Sequence, residues 1–326
     1  MHWQQTASHR AHRGKAVKLS VIVPTWRRTA DLARCLAALA AQRRRADEVL
    51  VVARPDDHDT HAFLRAQETT LPLRVVWVRE PGVVAAYNRG LDTATGDVLC
   101  FTDDDAAPHD DWLARIEAAF AADATLGGLG GRDVVHERGG VLQGHKAAVG
   151  LVRWYGRAIG NHHLGHGEPR EVHVLKGVNM AFRRVAVGAL RFDPRLRGSG
   201  AQVHCEMAFS LDVRRRGAKL VYDPALVVEH YPAPRGDEDQ RFTFSDAAFY
   251  NASFNLRLIM CEHLSPPGRW AFVAYSSLIG NRADPGLARA LSLALGRDGV
   301  ALALRKWWVG LCAMRVAWHE AVHTRS

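Results

Sequence analysis

Along the first third of the chain, apolar positions follow two rhythms in alternation. The run at 19–23 is β-branched and closes on Pro24 and Thr25, the pattern of a buried strand with a sharp exit. From Thr29, a candidate N-cap, Leu32, Leu36 and Leu39 recur at helical spacing. A second apolar run, 49–53, breaks at Pro55-Asp56-Asp57, and a third, 73–78, breaks at Pro81-Gly82. A helical stretch over 85–91 then leads into a short apolar strand at 97–101. Strands alternating with helices predict a mainly parallel sheet covered on both faces. Ligands of such sheets bind beyond the carboxyl ends of the strands, where Thr25, Asp56 and Asp103 all fall.

The last of these strands runs into Thr102-Asp103-Asp104-Asp105. Adjacent carboxylates repel one another and are costly to desolvate, so a cation is expected beside them. Hard oxygen ligands suit Mg²⁺ or Mn²⁺, either of which can hold a diphosphate. By itself the cluster reads equally well as a solvated acidic turn. The strand–helix context favours a site.

Six segments, in order, carry a resemblance. They are SVIVPTWRR (20–28), EVLVV (48–52), PGVVAAYNRGL (81–91), GDVLCFTDDDAAPHDDWL (96–113), LKGVNMAFRR (175–184) and VRRRGAKLVYDPALVVEH (213–230). Together they resemble family 2 glycosyltransferases of the GT-A fold, over about residues 18 to 232. The fold class implied is α/β, a GT-A-type mainly parallel sheet flanked by helices. The resemblance also implies a nucleotide-sugar donor, a divalent cation, and inverting transfer to an acceptor hydroxyl.

Carried over residue by residue, the resemblance makes Asp103 and Asp105 the metal pair, with His230 completing the shell. Asp104, between them on a strand-like backbone, points elsewhere and is assigned to the donor. Pro24, Thr25 and Arg28 would flank base and phosphate, and Asn88 belongs to the turn before the metal strand. The family's acid after the second strand is missing: Ala53-Arg54-Pro55 stands there, so Asp56 or Asp57 would have to reach the base. Tyr87 stands where an arginine is common. Lys176, Gly177 and Asn179 match the segment lining the donor-sugar and acceptor pocket, with Gly177 allowing close approach.

Inverting transfer needs a base for the acceptor proton. Counting back from Arg214-Arg215-Arg216-Gly217, the family's acidic pair falls on Cys205-Glu206, which makes Glu206 the base and Asp212 the alternative. Trp112 would stack on an acceptor sugar or lie buried in its helix. The glycine-rich stretch 127–131 lacks the strand–turn–helix setting of a dinucleotide site. His162, His163 and His166 read as a loop near the acceptor, since no Cys or carboxylate partner is in register.

Composition refines this picture. At 326 residues, one α/β domain plus an appendage is the natural partition: a disordered basic tail at 1–17, a catalytic domain at 18–235 and a helical region at 236–326. The start carries no apolar h-region, and five scattered cysteines suit reduced thiols, so a cytoplasmic location is expected. A net charge of +9 without a recognition module argues against nucleic acid. Aromatic and basic residues in 270–275 and 300–322 suit an interfacial helix on an anionic membrane, at the inner face of the plasma membrane, or else packing on the catalytic domain. Neither stretch supplies the roughly 20 apolar residues of a span. A glycan or lipid-linked acceptor in cell-envelope polysaccharide or glycolipid synthesis is therefore expected. The alternatives are a sugar-phosphate nucleotidyltransferase, for which the glycine-rich phosphate loop is missing, and a nucleotide-sugar binding protein with impaired catalysis.

Overall fold

The structure is a computed structural model describing residues 17–66, 71–137, 140–234, 236–240, 243–294 and 300–323. The expected basic tail, Val17 excepted, lies outside the described residues.

The first half runs β1 (Leu19–Pro24), α1 (Thr29–Ala40), β2 (Glu48–Ala53), α2 (His58–Ala66), β3 (Leu73–Trp77), α3 (Val83–Thr93) and β4 (Val98–Phe101). These four strands pair in parallel in the order β4-β1-β2-β3, with Ile22 opposite Phe101 and Pro24 opposite Val52. β1, β2 and β4 are buried on both faces, which is why those runs read as continuous rather than alternating, whereas the edge strand β3 leaves Arg74 and Trp77 exposed. Val21 and Val23 enter one apolar cluster and Ile22 enters the other. Thr29 is the first helical residue of α1 instead of its cap; Arg28 holds the cap position without a side-chain cap bond.

The second half makes the sheet mixed. It comprises β5 (Ala106–Pro108), α4 (Trp112–Ala122), β6 (Leu126–Glu137), the short strands β7 (Gly140–Val141), β8 (Leu151–Val152), β9 (Ala158–Ile159) and β10 (Arg170–Glu171), β11 (Met180–Arg183), α5 (Arg184–Val187), α6 (Cys205–Arg215) and β12 (Lys219–His230). β11 inserts antiparallel between β4 and β6, and β12 runs parallel to β6. The sheet has ten strands among the described residues, and β5, which follows Asp103–Asp105 in the chain, pairs with the end of β12 so that His230 stands opposite Ala106.

Four more helices follow: α7 (Asp246–His263), α8 (Pro266–Ala274) with a π-helical turn at Tyr275–Ile279, α9 (Leu287–Ala294) and α10 (Val300–His323). Phe254, Leu258 and Met260 of α7 and Ala313, Met314 and Ala317 of α10 join the apolar cluster that holds Phe101, Phe182 and Phe209. Polar clamps reinforce this. Asn255 bonds the backbone of Arg197 and Val203, and Glu262 bonds Arg195 at 2.8 and 3.0 Å. No described helix is long and apolar enough to cross a membrane.

Candidate active site

The carboxyl ends of β1 and β4 and the end of β12 converge on one polar pocket. Asp103, half-buried, and Asp105 and His230, both buried, each aim a donor atom into it, and these atoms lie within 4.8 Å of one another. Asp104 turns the other way, as strand-like alternation requires. Its Oδ2 accepts from Thr25 Oγ1 at 2.8 Å and its Oδ1 from Arg28 at 3.2 Å. Arg28 also stands 3.8 Å from Asp105 and donates to the Pro234 carbonyl. So Thr25, Arg28 and Asp104 form one unit at the mouth of β1, with Pro24 ending the strand beneath it.

Electrostatics here resist a fully ionised triad. Burial pushes the Asp104 carboxyl up to about 7 in spite of Arg28. Desolvation and the charge on Asp105 also raise Asp103. Asp105 ends at about 2, because His230 outweighs its burial. Burial works to lower His230, yet Asp105 and Asp133 hold it up at about 9. Neither ring nitrogen of His230 completes a hydrogen bond: Nε2 is 3.4 Å from Asp105 Oδ1 and Nδ1 is 3.7 Å from Asp133 Oδ2. Converging carboxylates and an imidazole with both nitrogens unsatisfied fit a hard divalent cation, which would relieve both the repulsion and the unmet bonds.

Asp133 was not singled out from the sequence. It is fully buried on β6 and paired with Lys176, and facing His230 and Lys176 holds its carboxyl at about 2 against burial. The legible signal was an acid inside an otherwise apolar strand, which is rarely buried unless paired. Lys176 thereby joins the cation pocket to a second space behind it. Gly177 follows Lys176, and a Cβ there would sit 3.0 Å from the Tyr87 hydroxyl. Tyr87 in turn donates to Asp103, and burial, Asp103, Cys205 and Glu206 all raise its phenol, keeping it a donor.

That second space is a cavity of about 670 Å³ lined by Lys176, His162, His163, His204 and Glu206 on one side and by the C-terminal helices on the other. Glu206 occupies the first turn of α6, and the Cys205 thiol donates to its Oε2 at 3.6 Å. His162 and His163 form an ordered 3₁₀ turn rather than a ligand cluster. Burial lowers His162, whose Nε2 meets the Val174 carbonyl at 2.9 Å.

Other candidates are committed to the scaffold. Asp57 is buried, caps α2 through Thr60, and accepts at 2.6 Å from the backbone of Arg27, which is held at a positive φ of 53°. Asn88 exchanges both side-chain bonds with the Phe192 backbone. Asn179, fully buried, accepts from Trp112 Nε1 and donates to the carbonyls of Arg132 and Leu226. Trp112 is accordingly buried and offers no face to a sugar. Asp56 lies exposed at the rim in a two-point pair with Arg54, whose guanidinium covers Trp26 at 4.1 Å. Asp212 pairs with Arg215 at 3.1 Å and does not line the cavity.

Residues 20–191 match the family model described as Glycosyl transferase family 2. Glycosyltransferase AglE of Haloferax volcanii is 31% identical over 101 residues, 30% of this chain and 33% of that protein. The succinoglycan biosynthesis protein ExoM of Rhizobium meliloti is 30% identical over 106 residues, 31% of this chain and 34% of that one. The chain thus spans about a third of the length of the curated relatives it matches. Among solved structures the fold is similar to GalNAc-T7 with UDP, GalNAc and Mn²⁺ (TM-score 0.60, 16% identity, 89% of this chain and 54% of that one). It is also similar to TarS of S. aureus with UDP-GlcNAc (0.58, 15%, 94% and 92%). A third is the mannosyltransferase PcManGT of Pyrobaculum calidifontis with GDP-Man and Mn²⁺ (0.55, 21%, 96% and 89%). At these identities the likeness is one of fold, the GT-A fold.

Proposed function

The chain belongs to glycosyl transferase family 2, and we propose that it moves a sugar from a nucleotide-sugar to an acceptor hydroxyl with inversion. The observation that carries this is the adjacency of a carboxylate–imidazole pocket at Asp103, Asp105 and His230 to a cavity holding Glu206, joined through Tyr87 and Lys176. Proteins of the same fold with UDP, UDP-GlcNAc and GDP-Man support a nucleotide-sugar donor, and two of them hold Mn²⁺.

Thr25, Arg28 and Asp104 hold the nucleoside side of the donor. Gly177 leaves room for the sugar against the backbone. Glu206 takes the acceptor proton as the oxygen bonds to the anomeric carbon, and the bond from that carbon to the diphosphate oxygen breaks on the opposite face. Asp103, Asp105 and His230 would hold a Mg²⁺ or Mn²⁺, which would supply Lewis-acid stabilisation of the departing diphosphate. Cys205 in place of a second acid beside the base leaves Glu206 without a like charge as its neighbour.

The acceptor is a glycan or lipid-linked glycan of cell-envelope polysaccharide or glycolipid synthesis. ExoM, named for succinoglycan biosynthesis, supports this. Exposed Trp270 and Trp308 on the C-terminal helices support work at an anionic membrane surface.

A thermal-shift series of nucleoside diphosphates and nucleotide-sugars with Mn²⁺ tests the donor side, since ligands of the folded state raise Tm by mass action. Turnover should release nucleoside diphosphate. Release of pyrophosphate instead would identify a nucleotidyltransferase and overturn the reading.

A further inference from the structure

The chain enters α6 through a strained turn. Gln202 and His204 both hold a positive φ, 36° and 77°, where glycine is at ease and a residue with a Cβ is not. Such a turn persists only when its surroundings impose it. Here they do. Gln202 Nε2 donates to the Leu196 carbonyl at 2.8 Å, and its Oε1 accepts from the Val84 amide at 3.0 Å. Asn255 of α7 donates to the Val203 carbonyl at 3.0 Å, and the His204 carbonyl accepts from the Met207 amide at 3.0 Å. Gly82 makes room for the arrangement, since a Cβ there would come to 2.3 Å from Gln202 Oε1.

What the turn delivers is the His204 ring. The imidazole lines the cavity together with Glu206, two residues further on in the first turn of α6. Among the described residues neither ring nitrogen has a hydrogen-bond partner, so no bond of the ring within the protein repays the strain. Burial lowers the basicity of the ring, while the charges on Glu206 and then Asp284 work against that; the outcome is an imidazole that is neutral at pH 7. The other titratable groups on the cavity are Lys176 before β11, His162 and His163 of the 3₁₀ turn, Arg157 before β9, Asp239 before α7, and Tyr275. Of all these charges, only those on Glu206 and Asp284 bear on the ring.

We propose, resting on the transferase reading above, that His204 is a positioning residue for Glu206: neutral, it leaves the carboxylate free to take a proton, and protonated, it draws that carboxylate into an ion pair and holds it back. The strained turn serves this by fixing the ring at the start of the helix that carries the base. An imidazolium attracts the nearby carboxylate through a charge-assisted bond, and a carboxylate so paired is a weaker base. Transfer therefore falls as pH drops through the His204 midpoint, above the range in which an unpaired carboxylate is itself protonated. Asparagine tolerates the same backbone but carries no charge at any pH, so it cannot reproduce the effect.

The test has an arm that needs no substrate. Histidine-labelled full-length chain is titrated by NMR, and the His204 signal is the one missing from His204→Asn. It should titrate below the usual histidine midpoint of about 6.5, and Glu206→Gln should move it down by a further half unit or so, because a charge favouring the imidazolium is gone. A His204 midpoint that ignores Glu206→Gln overturns the proposal. In the second arm, release of nucleoside diphosphate from UDP-, GDP- and dTDP-sugars with Mn²⁺ is followed against pH. The acidic limb of the parent should coincide with the His204 midpoint, and in His204→Asn it should lie about one pH unit lower or more, toward the carboxylate range. His204→Gly, which relaxes the backbone at a positive φ, should move the limb in the same way. A limb unmoved in both variants also overturns the proposal. A parent that shows the NMR coupling yet releases nucleoside diphosphate from no nucleotide-sugar defeats the transferase reading and leaves the His204–Glu206 pairing standing.

Discussion

Tyr87 donates its hydroxyl to Asp103 Oδ1 at 3.2 Å, so a residue of α3 orients a candidate cation ligand at the end of β4. Its ring is wedged against Phe101 and Phe192, at centroid distances of 5.2 and 4.8 Å, so the hydroxyl has little freedom to leave. Tyr87→Phe keeps that packing and removes only the donor. The loss of one such bond is about 0.5–1.5 kcal/mol, or a few-fold to tenfold in affinity. We expect the Mn²⁺ concentration needed for half the nucleoside diphosphate thermal shift to rise by that factor while Tm without ligand stays within about 1 °C. An unchanged Mn²⁺ titration would show that Asp103 needs no such orientation.

Asp105 offers the sharper test of the cation. Its Oδ2 accepts from the Ala233 amide at 2.9 Å, a bond that an amide oxygen can keep. Asp105→Asn should therefore fold normally yet abolish transfer and weaken diphosphate binding. Normal turnover of this variant, or full activity of the parent in excess chelator, would sink the assignment.

For the base, Glu206→Gln retains size and hydrogen bonding but cannot accept a proton near neutrality. General-base assistance is typically about 10²–10⁴ in rate, so transfer should fall at least about a hundredfold with donor binding intact. Asp212→Asn, outside the cavity, should be active. Should the two variants behave the other way round, the register of the acidic pair is misplaced.

Membrane association calls for a subtler variant than truncation. Removing 265–326 would strip Phe272, Ala313, Met314 and Ala317 out of the main core, and the product would fail for reasons of folding. Trp270 and Trp308, 66% and 62% exposed, are changed without that penalty. The parent should cosediment with anionic vesicles at low salt and partly release as salt screens the attraction, and the double Trp→Ala variant should bind more weakly. A parent that ignores vesicles at low salt would leave the +9 charge to another partner.

Arg257 tests the joint between helices. Deleting one member of a buried pair is typically worth about 3–5 kcal/mol, so Arg257→Ala should lower Tm by roughly 4–7 °C in a chain of this length. A Tm within about 2 °C of the parent would mean that Asp284 finds other partners.

The first half of the fold was legible because β1, β2 and β4 are buried on both faces and the apolar runs are stopped by proline or aspartate. The carboxylate run was equally plain, since its place after β4 follows from chain order. Less legible was the fate of the asparagines: Asn88 and Asn179 sit inside matching motifs, yet their amides close backbone gaps opened by Phe192, Arg132 and Leu226, partners far away in sequence. Asp57 went to a cap for a similar reason, because Thr60 and the Arg27 amide compete for its oxygens. The partners of Asp133 could not be read along the chain, as His230 reaches it only when β12 docks beside β6.

The buried faces of α10 offer α7 mostly small side chains, Ala303, Ala313, Ala317 and Ala321, a smooth surface along which two helices could slide by a turn at little cost. Gly310 interrupts that smoothness. A Cβ there would come within 2.8 Å of the Arg257 Nη2, so the guanidinium lies in the notch that the missing side chain leaves. A charged key in a glycine slot permits one axial setting of the two helices. That setting also fixes Asp284, which Arg257 holds where it lines the same cavity as Glu206, so the last helix settles the position of one cavity residue without lining the cavity itself.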